Sequence, residues 1–306
     1  MRVLVTGASG WIGAAVVPEL IGAGHHVIGL ARSEDSAAAL ETAGADVVRG
    51  SLDDLDVLRA GAAAADGVIH LAFKHDIAFS GDYDGAAVAD RRAIDAFGEA
   101  LAGTDRPFVI ASGLAGIAVG RVATEHDQPD LGTPGPASAR GLNTQAALAF
   151  AARGVRASAV RLAPTVHGDG DNGFIAMQVA IARDRGVSAY VGDGANRWPA
   201  VHRLDAARLF RLGLEQAPAG AVLHGAADEG ISAREIAAAI GRQLDLPVAS
   251  IAPEEAAGHF GWLGGFFSLD MPATSTLTRE RLGWEPTHPG LIEDLEQGHY
   301  FREVVC

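Results

Sequence analysis

The sequence predicts an α/β protein built on a doubly wound parallel sheet, with a smaller C-terminal lobe. Three observations lead there. Compact apolar runs alternate with helical patterns through the first half of the chain. The runs are continuous instead of alternating with polar residues, as strands covered on both faces must be. The first run, Val3 to Thr6, leads straight into a glycine-rich turn and a helix.

Strands are predicted at about 2–6, 26–30, 45–49, 67–72 and 107–112, with helices between them at about 11–23, 35–43, 53–64 and 85–103. A further helix at about 139–153 leads to a strand near 156–162. Crossovers between parallel strands are right-handed, which makes the doubly wound sheet the economical topology. The segment 125–141 carries Pro129, Gly132, Pro134, Gly135 and Pro136 and reads as a loop, either facing a substrate or simply connecting. After residue 165 the alternation breaks down. A helix near 173–185, a short strand around Tyr190 and helices at about 204–216 and 232–244 follow. The chain thus divides into a first domain over 1–165, with a return segment near 200–225, and a smaller substrate lobe from 166–199 and 226–306.

The bulk numbers exclude several classes. A chain of 306 residues with 48% hydrophobic residues can bury a full core. The 24 basic residues against 38 acidic ones leave a charge of −14, which argues against nucleic acid or an anionic membrane surface as partner. An anionic ligand must then be held by local donors. No uncharged apolar run reaches the ~20 residues that span a bilayer, and the N-terminal run is too short for an export signal. Cys306 is the sole cysteine, so no internal disulfide or cysteine metal cluster is expected, and the histidine spacings do not read as a metal site. These features point to a cytoplasmic protein.

Gly7, Gly10 and Gly13 form Thr-Gly-x-x-Gly-x-x-Gly between a strand and a helix. Glycines there let the backbone turn tightly against a pyrophosphate, while the first amides of the helix face the anion. Ser9, Trp11 and Ile12 would add amides or walls. The end of the second strand selects between the nicotinamide cofactors. An acidic residue would accept hydrogen bonds from the ribose hydroxyls, but the sequence places Arg32 and Ser33 there, which suit a 2′-phosphate. NADP(H) is the expected cofactor.

These features resemble the short-chain dehydrogenase/reductase superfamily, in its extended and atypical, epimerase/dehydratase-like branch, which implies a Rossmann fold. Gly50-Ser51-Leu52-Asp53 looks like the segment that borders the adenine, with serine replacing the usual aspartate. His70-Leu71-Ala72 looks like the strand end beneath the adenosine ribose, and Arg161-Leu162-Ala163-Pro164 like the segment near the nicotinamide. His202 and Asp205 match the family's hinge before a helix, and Leu282-Gly283-Trp284-Glu285-Pro286 its C-terminal signature. The resemblance implies cofactor contacts from Leu52, Leu71, Ala72 and Lys74. It also implies possible homodimerisation through the helices at 85–103 and 139–153, which the small apolar run Ala146, Ala147, Leu148, Phe150 and Ala151 permits.

The family's catalytic Tyr-x-x-x-Lys is missing. Lys74 is the only lysine and has His70 four residues before it, while Tyr83, Tyr190 and Tyr300 are followed at the fourth position by Ala87, Gly194 and Val304. Three residues are candidates for the remaining chemistry. Ser112, at the end of the fifth strand, matches the family's hydroxyl that bonds the substrate oxygen. His167, where relatives often have tyrosine, could donate a proton. Lys74 could serve the reaction or the cofactor. Arg140 and Asn143 lie where the missing pair should fall and could orient a carbonyl, with helix-surface polarity the simpler explanation. His75 and Asp76 form a potential acid/base pair. Trp198, Phe174, Phe260, Trp262, Phe266 and Phe267 offer aromatic surface in the second lobe, mostly as packing. The sequence therefore supports an NADPH-dependent oxidoreductase acting on a carbonyl or imine of a small-molecule substrate. A redox-neutral isomerase, epimerase or lyase, and a non-catalytic NADP(H) sensor, stay open beside it.

Overall fold

The computed structural model describes residues 1–133 and 135–302, so Cys306 lies outside the described residues. The first half runs β1 (Arg2–Thr6), α1 (Gly13–Gly22), β2 (His26–Ala31), α2 (Glu34–Thr42), β3 (Asp46–Arg49), α3 (Leu55–Ala64) and β4 (Gly67–His70). Then come α4 (His75–Phe79), α5 (Tyr83–Leu101), β5 (Pro107–Gly113), α6 (Pro136–Ala149) and β6 (Arg156–Leu162). The second half runs β7 (Thr165–His167), α7 (Phe174–Arg185), β8 (Ser188–Val191), β9 (Arg197–His202), α8 (Arg203–Gln216), β10 (Ala221–Gly225) and β11 (Asp228–Ser232). It closes with α9 (Ala233–Leu244), β12 (Val248–Ile251), α10 (Ala256–Phe260), α11 (Leu263–Phe267), α12 (Thr276–Leu282) and α13 (Leu291–Glu296).

Seven strands form one parallel sheet in the order β10-β6-β5-β4-β1-β2-β3. The pleat sends alternate side chains of each strand to opposite faces. Val3 and Val5 of β1 pack with Val16, Leu20, Leu209 and Phe210 from α1 and α8. Leu4 between them packs with Leu58, Ile94, Phe97 and Phe108 on the other face, under α3, α5 and α6. Both faces are therefore apolar, which is why the strands read as unbroken runs. Strand order reverses between β1 and β4, the place where an open sheet of this kind forms a crevice at the carboxyl ends of its strands.

Several elements of the second half, β10 among them, were not expected, and two further differences lie near the crevice. The helix expected from about 139 starts at Pro136, because a proline at the first helical position loses no hydrogen bond and already has helical φ. A five-residue helix, α4, fills the connection after β4, where no element was expected. Beyond the main sheet lie two smaller ones, β11-β9-β7 and β12-β8. No helix among the described residues is long and apolar enough to cross a membrane.

Asp205, at the start of α8, binds the C-terminal segment to the sheet. It is fully buried, and one carboxylate oxygen accepts from Thr287 N (3.0 Å) and His288 Nδ1 (2.9 Å) while the other accepts from His288 N (3.1 Å). Its own carbonyl accepts from Nε1 of the buried Trp284 at 3.0 Å. An Asp205→Ala substitution strands two backbone amides and is expected to cost on the order of 3 kcal/mol, read as a lower urea midpoint with an unchanged slope.

Candidate functional site

The crevice is floored by the glycine turn. Gly7 has φ of +66°, and a Cβ on it would lie 2.8 Å from Ala72 N, at the end of β4. A Cβ on Gly13 would lie 2.1 Å from Gly7 O. Both positions thus exclude any side chain, and the turn lies flat against α1 and β4. No side chain caps the start of α1, as an anion site at a helix N-terminus requires. Ser9 and Gly10 are exposed, and Trp11 and Ile12 half-buried. Trp11 donates from Nε1 to Val166 O at 2.9 Å, and the Arg203 guanidinium lies 4.3 Å over its ring, fastening the turn to β7. This cradle fits a dinucleotide pyrophosphate.

Just past the end of β2, Arg32 is 70% exposed and meets Asp76 at 3.4 Å. Such an exposed pair is weak and leaves the guanidinium free to serve an incoming phosphate. Ser33 caps α2, its Oγ accepting from Ser36 N at 3.2 Å, and Arg49 donates to Ser33 O at 2.7 Å. Leu52 is buried, while Leu71 and Ala72 line the end of β4 half-buried. Lys74 Nζ grips both oxygens of Asp53, at 2.6 and 2.8 Å. The ammonium is thereby paired with Asp53. His75 and Asp76 also turn to different partners: Asp76 faces Arg32, whereas the His75 ring packs 5.1 Å from Phe73.

A chain of buried polar groups crosses the site beneath this surface. Thr6 Oγ1 accepts from Ala72 N (3.3 Å) and meets His70 Nδ1 at 2.6 Å. His70 Nε2 lies 3.1 Å from Asp90 Oδ1. The other Asp90 oxygen accepts from Arg140 Nη1 (3.1 Å) and Asn143 Nδ2 (2.7 Å), and Asn143 also donates to Ala87 O at 2.9 Å. One protonation pattern satisfies every group: the Thr6 hydroxyl donates to Nδ1, and Nε2–H donates to the carboxylate. Burial alone would push the Asp90 carboxyl up. The His70 hydrogen bond, the Arg140 charge and the Asn143 amide outweigh it and hold the group below its ordinary value.

Arg140 and Asn143 are therefore internal residues with a shared carboxylate partner, which corrects their reading as helix-surface polarity. Arg140 also donates from Nη2 to Ala111 O at 2.7 Å and stacks 4.5 Å over Phe73. Four residues on, Thr144 Oγ1 lies 2.8 Å from Ser112 Oγ and donates to Arg140 O at 2.8 Å. Arg140 and Thr144 thus stand at the spacing of the missing tyrosine and lysine, against the end of β5. Ser112 lies among them, buried at the carboxyl edge of the sheet. Tyr83 joins the same rim through Phe73, with ring centroids 5.6 Å apart. Burial pushes the Tyr83 phenol up against the opposing pull of Arg140, and burial with the Arg140 charge pushes His75 down.

His167 sits elsewhere. It is fully buried, with Nδ1 2.9 Å from the buried Asp294, and its ring meets His202 edge-on at 5.4 Å. As the last residue of β7, fully buried and held by Asp294, His167 has no exposed atom to offer a substrate in this structure. His202 orders the hinge: its Nδ1 accepts from Leu204 N, and burial with the neighbouring His167 lowers its pKa to about 4. Ligand atoms of His202, Asp205 and His288 lie within 4.8 Å of one another. The two imidazoles stack almost parallel, however, at 9° and 4.8 Å, so their lone pairs run side by side and do not converge on one ion.

A profile of the NAD dependent epimerase/dehydratase family matches residues 3–224. An uncharacterized protein of Schizosaccharomyces pombe is 49% identical over 302 residues, covering 98% of this chain and 100% of its own length. Another, of Saccharomyces cerevisiae, is 43% identical over 301 residues, covering 98% and 99%. Among solved structures, the dTDP-glucose 4,6-dehydratase DesIV of Streptomyces venezuelae, with NAD and TYD bound, superposes with a TM-score of 0.77 at 21% identity, covering 99% of this chain and 98% of that one.

Replacing Asp90 by Asn leaves the Arg140 cation without its buried counter-charge. Asp90→Asn is expected to cost about 3 kcal/mol near neutral pH. Because the folded carboxyl titrates below its free value of ~3.9, this contribution is complete above that pH and is lost as pH falls through the folded value. The gap in urea midpoint between wild type and Asp90→Asn should therefore narrow in acid.

Proposed function

Since the chain belongs to the NAD dependent epimerase/dehydratase family, we propose that it is an NADPH-dependent oxidoreductase that reduces a carbonyl or imine of a small organic molecule without a tyrosine–lysine pair. The observation that carries this reading is the cluster of Ser112, Thr144 and Arg140 at the mouth of the crevice. Gly7, Ser9, Gly10, Trp11, Ile12 and Gly13 would hold the pyrophosphate. Leu52, Leu71, Ala72 and Lys74 would surround the adenosine. Arg32 and Ser33 favour a 2′-phosphate, since no carboxylate stands at the end of β2 to receive the ribose hydroxyls of NAD. When bound, the nicotinamide supplies a hydride to the acceptor carbon.

The protein's own part is to polarise the acceptor and supply a proton. The Ser112 hydroxyl points its hydrogen at the acceptor oxygen when Thr144 turns its own hydrogen from Arg140 O to Ser112 Oγ. Thr144 is then a positioning residue. The Arg140 guanidinium, fixed from behind by Asp90, places positive charge where the oxygen becomes an alkoxide. It does not deprotonate, so it stabilises charge without moving a proton. The alkoxide takes the Ser112 proton, and water in the crevice restores it. An iminium acceptor arrives already protonated and needs only the positioning.

Two outcomes test the reading. Ser112→Ala should lower the rate of NADPH oxidation about 100-fold with cofactor affinity unchanged, whereas Tyr83→Phe and His75→Asn should stay within about threefold of wild type. A panel of ketones and imines serves as acceptors, and turnover with none of them despite cofactor binding would overturn the proposal. Separately, Arg32→Ala should weaken NADPH binding about tenfold, equivalent to ~1.4 kcal/mol, and leave NADH binding untouched. Equal loss for both cofactors would reassign Arg32.

A further inference from the structure

An aromatic cluster in the second lobe packs against the loop that follows Ser112. Phe174, at the start of α7, lies 4.7 Å from Phe266 and 5.9 Å from Trp198, and Trp198 lies 4.9 Å from Phe266 (ring centroids). Ala115, three residues beyond Ser112, packs against this cluster together with Met177. The loop leading into Phe174 passes the glycine turn, since a Cβ on Gly170 would meet the Trp11 ring at 3.6 Å. The cluster thus touches the loop after Ser112, and the loop leading into it passes the glycine turn. Phe174, Met177 and Phe266 keep part of their surface exposed. The polar edge of Trp198 is spent, its Nε1 donating to Leu269 O at 3.0 Å.

The cations near this cluster are committed as well. Arg197 grips both oxygens of Asp270 at 3.0 Å each, and Arg234 donates to Asp193 O and lies over Tyr190. Arg185 donates to Gly258 O at 3.2 Å. The N terminus of α7, the usual alternative anchor for a phosphate, is held by its own carboxylate: Gly173 N donates to Asp171 Oδ1 at 2.7 Å. A diphosphate would have to enter a chain of charge −14 and, among the described residues near this cluster, compete for Arg197, Arg234 and Arg185 with their present partners.

We infer that the acceptor bound opposite Ser112 is a small, uncharged aryl carbonyl compound and not a nucleotide diphosphate sugar, an inference that rests on the carbonyl-reducing reading above. The ring stacks on Phe174 and Phe266 and the carbonyl reaches Ser112. Offset stacking and apolar burial supply the affinity, and no ion pair contributes.

The test is calorimetric titration of the NADP-loaded full chain with 4-phenyl-2-butanone and with UDP-glucose, followed by NADPH oxidation with the ketone. The inference predicts saturable ketone binding, no UDP-glucose binding, and at least tenfold weaker ketone binding in Phe266→Ala and Phe266→Ser, with NADPH affinity within twofold of wild type. Phe266→Leu, which keeps an apolar side chain in the cluster, guards against a folding artefact and should weaken binding less. Ketone binding without NADPH oxidation would leave this inference standing and overturn the reductive reading. Saturable UDP-glucose binding, no ketone binding, or ketone binding indifferent to Phe266 would each overturn the inference.

Discussion

The carboxylate of Asp90 is the group on which the candidate site depends. It is buried where an isolated charge could not persist, and it is satisfied from three sides, by His70 on β4 and by Arg140 and Asn143 on α6. Through His70 it reaches Thr6, the last residue before the glycine turn. Through Arg140 it reaches the carbonyl of Ala111, next to Ser112. One charge therefore sets the relative positions of the cofactor cradle and the acceptor site. A fully satisfied buried network of this kind is rigid, because each member that moves strands another.

This arrangement changes what the family scaffold can do. A tyrosine–lysine pair delivers a proton from a tuned phenol. Arg140 and Thr144 occupy the same spacing but contain no group that titrates near neutrality. Their contribution is positional and electrostatic: a hydroxyl relay ending at Ser112, and a guanidinium that cannot drift because Asp90, Ala111 and Phe73 hold it. Carbonyl reduction by such a site draws on preorganised charge for its acceleration and on water for its proton. In the proposed reading, Phe174 and Phe266 would limit what can be presented to it.

Much of the fold was legible because its signals are local. Unbroken apolar runs marked every strand of the main sheet except β10, and Gly7, Gly10 and Gly13 marked the turn, since each pattern is set by neighbours within a few residues. The site was legible only in part, because its decisive contacts are distant in sequence. Arg140 looked like an ordinary polar residue of a helix surface, since its partner Asp90 lies 50 residues upstream. His167 looked like an acid because the pattern around it matched the family, whereas Asp294, which holds it, is 127 residues away. Lys74 stood out by being alone, and the chain used it on Asp53. One signal was available: Asp90 falls on the stripe of Ala86, Ala93, Ile94 and Phe97, the buried face of α5. A lone aspartate on an apolar stripe requires a buried partner, and Arg140 is that partner.

The central claim is that Ser112 and Arg140, in place of tyrosine and lysine, face the reacting carbon. A crystal structure with NADP bound tests it most directly. The account predicts the nicotinamide C4 atom on the side of Ser112 and Arg140, with His167 still buried within β7 and Lys74 at the adenosine. A nicotinamide ring seated away from Ser112, or against His167, would contradict it.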